Sequence, residues 1–97
     1  MNAASLELDP VRRLARAGGR EALLNAREYA VIEQLREAAG QTVPHERLLA
    51  GAWPPHTPLA NLRVAIRMLR RKIEADPEMP TLIVTVPGEG YRLGSGA

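Results

Sequence analysis

One stretch of the chain, residues 61–73, constrains the fold more than any other. It reads N-L-R-V-A-I-R-M-L-R-R-K-I, with five basic residues and no acidic one. Its apolar residues recur at intervals of four, three and four positions, which puts them on one face of a helix. They are Leu62, Ile66, Leu69 and Ile73. The stretch therefore predicts an amphipathic helix with one face buried in a core.

The arginines of this helix lie outside the apolar stripe. At ~100° per residue, Arg67 and Arg71 point largely away from it, and Arg63 and Arg70 lie on one flank. A solvated helix face usually mixes glutamate with arginine, because opposite charges four residues apart stabilise a helix. Here the first acid is Glu74, at the end of the stretch. The pattern favours a negatively charged partner, and the DNA phosphate backbone is the commonest one.

Length and composition limit the remaining possibilities. Ninety-seven residues make one domain with one modest core and no large substrate cleft. The absence of cysteine excludes disulfides and thiolate metal sites, and it suits a reducing cytoplasm. No apolar run approaches the ~18 residues of a membrane span, and no signal-peptide core is present. We therefore expect a cytoplasmic chain without a membrane partner.

The first half of the chain predicts a small antiparallel sheet followed by a helix. Alternating residues between 6 and 24, with a Gly-Gly turn, indicate short strands. Asn25 and Glu28 form a capping box that starts the first helix. Its apolar stripe is expected to reach Ala39, with Gly40 at the C′ position. The second helix is expected to begin near Pro44 and to stop by residue 51.

The second half predicts the amphipathic helix and a hairpin. Thr57 is the expected N-cap and Pro58 the first helical residue, and the helix should run over about 58–75. Residues 81–86 and 91–93 are expected to pair as strands around the turn at 87–90. The fold class is thus α+β: a winged helix-turn-helix with an N-terminal sheet, three helices and a β-hairpin wing. The domain should span 6–93, with a disordered start or linker at 1–5 and a loose tail at 94–97.

Several short motifs follow one another in a specific order along the chain. They are L-x-L-D at 6–9, L-N-A-R-E-Y at 24–29, H-E-R-L-L at 45–49, a tryptophan at 53, V-A-I-R-M-L-R-R-K-I at 64–73 and T-V-P-G-E-G-Y-R-L at 85–93. Together they cover nearly the whole chain. The chain resembles the OmpR/PhoB-type effector domain, the DNA-binding half of many bacterial two-component response regulators. The resemblance implies that the third helix lies in the major groove of double-stranded DNA.

The resemblance also implies a role for individual residues. Arg67 matches a DNA-contacting arginine of the family, and Arg70 matches a second arginine positioned for the DNA backbone. Trp53 and Tyr91 match positions whose N–H and O–H reach phosphates. Thr85 matches a wing residue near the DNA.

The chain departs from the family pattern at the DNA-facing positions. Arg63 replaces an aspartate and should add phosphate affinity, and Met68 replaces an arginine. Val64 and Met68 occupy outward positions where an apolar group could contact a thymine methyl. Pro87 stands where the wing of the family carries an arginine that enters the minor groove.

Relatives also suggest two macromolecular partners besides DNA. The loop after the second helix can contact RNA polymerase in the family, although here residues 54–59 are rich in proline and form a shorter loop. Relatives bind as head-to-tail pairs on direct repeats, so a second copy of the chain is a further expected partner.

The polar residues predict no catalytic or metal site. Glu7 and Asp9 share one face of a strand, but an exposed edge explains them better than a catalytic pair. The two histidines, His45 and His56, are far apart and have no cysteine companions. The glycine-tipped turn precedes no helix, so it is not a phosphate loop. We expect no enzyme activity, no cofactor, no metal and no small-molecule substrate.

Two functional hypotheses remain open at this point. The first is a sequence-specific, double-stranded-DNA-binding transcriptional regulator, or the detached effector domain of one. Its basic face would consist of Arg63, Arg67, Arg70 and Arg71. The alternative is a winged helix that binds another protein and has lost its DNA contacts.

Overall fold

The computed structural model describes residues 6–94, and within them it contains three helices and two small antiparallel sheets. The strands are β1 (Glu7–Asp9), β2 (Leu14–Ala17), β3 (Arg20–Leu23), β4 (Val43–Pro44), β5 (Ile83–Val86) and β6 (Gly90–Leu93). The helices are α1 (Ala26–Glu37), α2 (His45–Ala52) and α3 (Leu59–Ile73). The predicted winged helix-turn-helix is confirmed. The expected start at 1–5 and most of the tail expected at 94–97 lie outside the described residues.

The N-terminal sheet is a meander in the order β1-β2-β3. Glu7 pairs with Arg16, and Leu14 pairs with Leu23. The turn between β2 and β3 contains two consecutive glycines with φ of 57° and 80°, a backbone region that side chains strongly disfavour. Alternate residues of β2 point inward, and Ala15 is fully buried.

The C-terminal sheet has the order β4-β6-β5, and its first strand was not predicted. β4 has only two residues, too few to show the alternation that identifies a strand. Val43 pairs with Tyr91, and Pro44 pairs with Gly90. A Cβ atom on Gly90 would clash with the Val43 carbonyl oxygen. Glycine at position 90 therefore lets the wing approach the segment before α2.

The predicted start of α1 is confirmed, and its predicted end is wrong. The Asn25 Oδ1 accepts the Glu28 N–H at 2.8 Å, and the Glu28 Oε1 accepts the Asn25 N–H at 3.0 Å. The helix ends at Glu37, and Ala39 has a left-handed φ of 51°. Ala39 is consequently exposed rather than part of the apolar stripe, and it takes the C′ position expected for Gly40.

The predicted boundaries of α2 and α3 also shift by one or two residues. α2 continues through Gly51 to residue 52, and a Cβ at Gly51 would lie 2.5 Å from the Gln34 side chain. Thr57 does not cap α3, because its hydroxyl donates to the Pro54 carbonyl at 2.7 Å. Pro58 is the N-cap, and Leu59 is the first helical residue.

The core forms where the helices meet the two sheets. The four stripe residues predicted on α3 are all buried, with at most 1% of their surface exposed. Burying one such side chain contributes about 1.5–3 kcal/mol, so this stripe determines which face of α3 turns outward. No helix between residues 6 and 94 has the length and apolar character needed to cross a membrane.

Candidate nucleic-acid interface

The outward face of α3 carries three exposed arginines around two apolar side chains. Arg63, Arg67 and Arg71 are exposed, and none of them forms a hydrogen bond or ion pair with another residue between 6 and 94. Val64 is 49% exposed, and Met68 is half-buried. The outward face of α3 thus places guanidinium groups that have no partner among residues 6–94 beside an apolar strip.

Arg70 lies on the same helix, but its guanidinium contacts the wing. Its Nε and Nη2 donate to the Ile83 carbonyl at 3.2 and 2.8 Å, and Nη2 also donates to the Thr85 hydroxyl at 2.8 Å. The guanidinium carbon lies 5.9 Å from the centre of the Tyr91 ring, within the range of a cation–π contact. The fold thus brings Arg70 and Thr85 into contact. A DNA contact by either residue stays a prediction.

Lys72, the remaining basic residue of α3, contacts α1 and the N-terminal sheet. Its Nζ lies 2.6 Å from the Glu28 Oε1, and it donates to the Leu23 carbonyl at 3.3 Å. Only 4% of the Glu28 side chain is exposed, so this ion pair sits at the edge of the core. Of the five basic residues in the helix, two are therefore bonded to other residues between 6 and 94, and three have no partner in that part of the chain.

The C-terminal end of α3 is fixed by two further polar residues to which the sequence analysis assigned no role in the site. Arg20 on β3 donates to the Ile73 carbonyl from Nη2 at 3.1 Å. Glu74, the helix cap, is 4% exposed. Its carboxylate accepts the N–H groups of residues 81, 82 and 83 at 2.8–3.1 Å. These contacts explain why α3 ends at Ile73 rather than near Ala75.

Trp53 and Tyr91 are mainly core residues with one polar atom each still available. They are 9% and 6% exposed. The Arg27 guanidinium lies 5.9 Å from the Trp53 ring, and His45 packs edge-on against Tyr91 at 5.6 Å. No hydrogen bond joins Trp53 Nε1 or Tyr91 Oη to another described residue, so both atoms are available to a partner from outside that part of the chain.

A shallow groove of about 340 Å³ lies between Trp53, the start of α1 and the outward face of α3. Val64, Ala65 and Met68 form its apolar wall, and Arg27 lies on its rim. The groove thus continues the apolar strip of α3 and has a cation at its edge.

Asp9, one of the two carboxylates on β1, has a structural role. The Asp9 carboxylate accepts the N–H groups of Val11 and Arg12 at 3.0 and 3.2 Å, which closes the turn after β1. Within residues 6–94, no group of three or more histidine, aspartate and glutamate side chains is arranged to hold a metal ion.

These features define a winged helix whose third helix presents a basic and apolar face. Residues 19–93 match the family described as "Transcriptional regulatory protein, C terminal". The chain belongs to this family, whose domains are OmpR/PhoB-type winged helices.

Curated relatives are bacterial transcriptional regulators. The chain is 44% identical over 92 residues to the transcriptional regulatory protein CutR of Streptomyces coelicolor, covering 93% of this chain and 41% of CutR. It is 33% identical over 99 residues to the DNA-binding response regulator MtrA of Mycobacterium tuberculosis, covering 97% of this chain and 42% of MtrA. The chain thus spans about two fifths of the length of these relatives.

Solved structures share the fold. The Thermotoga maritima response regulator DrrB, an OmpR/PhoB homologue, superposes with a TM-score of 0.80 at 29% identity, over 92% of this chain and 41% of DrrB. The Klebsiella pneumoniae RstA DNA-binding domain, solved in complex with the RstA box, gives 0.75 at 28% identity, over 98% of this chain and 96% of that one.

Proposed function

We propose that this chain is a sequence-specific, double-stranded-DNA-binding domain of a bacterial transcriptional regulator. The observation that carries the proposal is the outward face of α3, where Arg63, Arg67 and Arg71 have no partner between residues 6 and 94 and flank exposed Val64. Phosphates supply the opposite charge, and major-groove base edges supply apolar methyl groups. The family membership and the names of the relatives support the same conclusion.

Each residue of the face has a proposed role in this complex. Arg67, at the centre of the outward face, reads a base edge. Arg63 and Arg71 bind phosphates on either side. Val64 and Met68 contact thymine methyl groups, since an apolar strip between cations fits no other major-groove feature as well.

The flanking residues would contact the DNA backbone. Trp53 and Tyr91 each retain an available donor, and Thr85 is exposed on β5. Neutral donors such as these position a protein on the duplex without reading its sequence.

The cellular location and the further partners are also proposed. We propose a cytoplasmic location, because the proposed DNA partner lies there, and a role in binding rather than catalysis. RNA polymerase is a proposed partner of the α2–α3 loop, where Pro54, Pro55 and His56 are exposed. A second copy bound head-to-tail on direct repeats is proposed from the family resemblance alone.

The proposal predicts a strong dependence of DNA binding on salt. If about three to five phosphates are neutralised, log K should fall with a slope of roughly −2.7 to −4.5 against log salt concentration. The measurement is a titration of the chain with random duplexes, and then with duplexes enriched by selection, at several salt concentrations. No duplex binding at low salt, or a slope near zero, would overturn the proposal and leave a protein-binding winged helix as the better reading.

A further inference from the structure

The last turn of α3 holds β5 through two side chains of opposite charge, four residues apart. Glu74 accepts hydrogen bonds from the amides of Thr81, Leu82 and Ile83. Arg70 donates to the carbonyl of Ile83 and to a hydroxyl two residues further on. The N–H and the C=O of one wing residue are therefore both bonded to the same helix.

These bonds occupy an edge that would otherwise be open. β5 is an edge strand of the β4-β6-β5 sheet, and its other edge pairs with β6. An unpaired strand edge normally bonds to water or to another chain. Here Arg70 of α3 and its cap residue Glu74 bond to the C=O and the N–H of Ile83. The wing is therefore connected to this end of α3 by directional bonds as well as by apolar packing.

The same bonds use three of the five N–H groups of Arg70 and leave the two on Nη1 for a phosphate. A guanidinium has five N–H donors, and the Nε–H and both Nη2–H groups of Arg70 point to acceptors within the chain. The Tyr91 ring on β6 lies beside the group as well. Arg71, the next residue, is exposed and has no such partner between residues 6 and 94.

We infer that Arg70 and Glu74 form a clamp that sets the orientation of the wing relative to α3. In this inference Arg70 is a positioning residue, which acts on DNA binding through the wing and not through a phosphate contact of its own. The inference rests on the proposed function. A wing already held in its bound orientation loses less conformational freedom on binding, so breaking the clamp should weaken the complex.

Replacing Arg70 by lysine separates the two roles. Lysine keeps the positive charge but cannot reproduce the forked donors of arginine. If Arg70 only positions the wing, Arg70→Lys and Arg70→Ala should weaken binding to a selected duplex by the same factor, on the order of three- to tenfold. The salt slope should stay that of the unmodified chain. If Arg70 binds phosphate, Arg70→Lys should bind almost normally, and Arg70→Ala should make the slope shallower by about 0.9.

Arg71 is the matched control, because it is adjacent, equally charged and exposed. Arg71→Lys should be tolerated, and Arg71→Ala should reduce the slope, which is the reverse of the pattern expected at Arg70. Glu74→Gln tests the other side chain of the clamp, because it leaves the Arg70 charge in place. It should weaken binding to the selected duplex by the same factor as the Arg70 substitutions and leave the salt slope unchanged.

Amide hydrogen exchange of the free chain tests the clamp without DNA. In Arg70→Lys, the amides of β5 and β6 should exchange faster, while those of α1 should keep the rates of the unmodified chain. Unchanged exchange in the wing, normal binding by Arg70→Ala, or rescue by lysine would each overturn the inference. If the unmodified chain binds no duplex, the proposed function fails, and the exchange result still decides whether the clamp exists.

Discussion

Arg67 and Arg70 lie three residues apart on α3 and differ in what surrounds them. Arg67 is exposed and has no partner between residues 6 and 94, whereas Arg70 is half-buried against the wing. The helical period correctly separates Leu62 and Ile66, which are buried, from the exposed Val64 and Arg67. The helical period does not distinguish one outward residue from another. The groups that surround these residues belong to strands twelve or more positions away in the sequence. The basic character of the site was therefore predictable, but its division into free and internally bonded cations was not.

Arg67→Ala should reduce the preference for a selected duplex over random DNA. A base-reading arginine typically contributes about 1–3 kcal/mol of discrimination, so affinity for the selected duplex should fall by that amount and affinity for random DNA should change little. Competition binding at fixed salt measures both. Arg36→Ala is the control, because it removes an exposed arginine in the last turn of α1. An equal loss on both duplexes would assign Arg67 to the backbone instead.

At the scale of elements, the start of α1 was predicted correctly, whereas its end, the cap of α3 and the long-range contacts were not. The capping box of α1 involves residues three apart, so the sequence contains all of it. The end of α3 depends on Arg20 from β3 and on three amides near β5. β4 exists only because β6 returns beside it. The residues at the end of α3 and in β4 do not by themselves identify these partners.

The tip of the wing is a place where one substitution tests the proposed DNA complex. Pro87 is exposed beside Gly88, which has a φ of 74°, and the turn closes through a bond from the Glu89 N–H to the Val86 carbonyl. The proline side chain carries no charge, and the carboxylate of Glu89 would be repelled by phosphate. The native wing should therefore add little affinity through its tip.

Pro87→Arg should tighten DNA binding by about 1.5 kcal/mol, the net contribution of one charge-assisted hydrogen bond. The gain should be largest on duplexes with a narrow A·T-rich minor groove, where the potential is most negative. Affinity for A·T-rich and G·C-rich flanks of one selected site measures it. Pro10→Arg adds the same charge at the exposed turn after β1 and should have little effect. No gain from Pro87→Arg would mean that the tip of the wing lies away from the groove.

At the scale of the whole molecule, polar contacts join α3 and its cap residue to α1, β3 and β5. Lys72 joins it to α1 and β3, Arg20 joins its last carbonyl to β3, and Glu74 joins its end to β5. The helix that presents the proposed DNA-binding face is thus fixed in position by polar contacts at its C-terminal end. A substitution there can change stability, binding, or both, and the two effects must be measured separately.

Lys72→Met should destabilise the fold without changing the salt dependence of DNA binding. Among residues 6–94, it leaves the buried Glu28 carboxylate with only the Asn25 N–H as a partner. Leaving a buried charged acceptor partly unpaired costs about 1–3 kcal/mol. The lower part of that range is expected, because 35% of the Lys72 side chain is exposed and solvent screens the pair. Urea denaturation measures the change in the free energy of unfolding.

Glu28→Gln shows whether that loss comes from the ion pair. Glutamine at this position can still accept the Asn25 N–H, because the capping box tolerates either residue. In a chain that already carries Glu28→Gln, the further change Lys72→Met should therefore cost less than it does alone, and the difference is the coupling energy of the pair. DNA titrations of the same variants should give the salt slope of the unmodified chain, since the Lys72 ammonium is held between α1 and β3. A slope shallower by about 0.9 in Lys72→Met would show that this lysine neutralises a phosphate, and additive stabilities would show that the buried carboxylate does not depend on it.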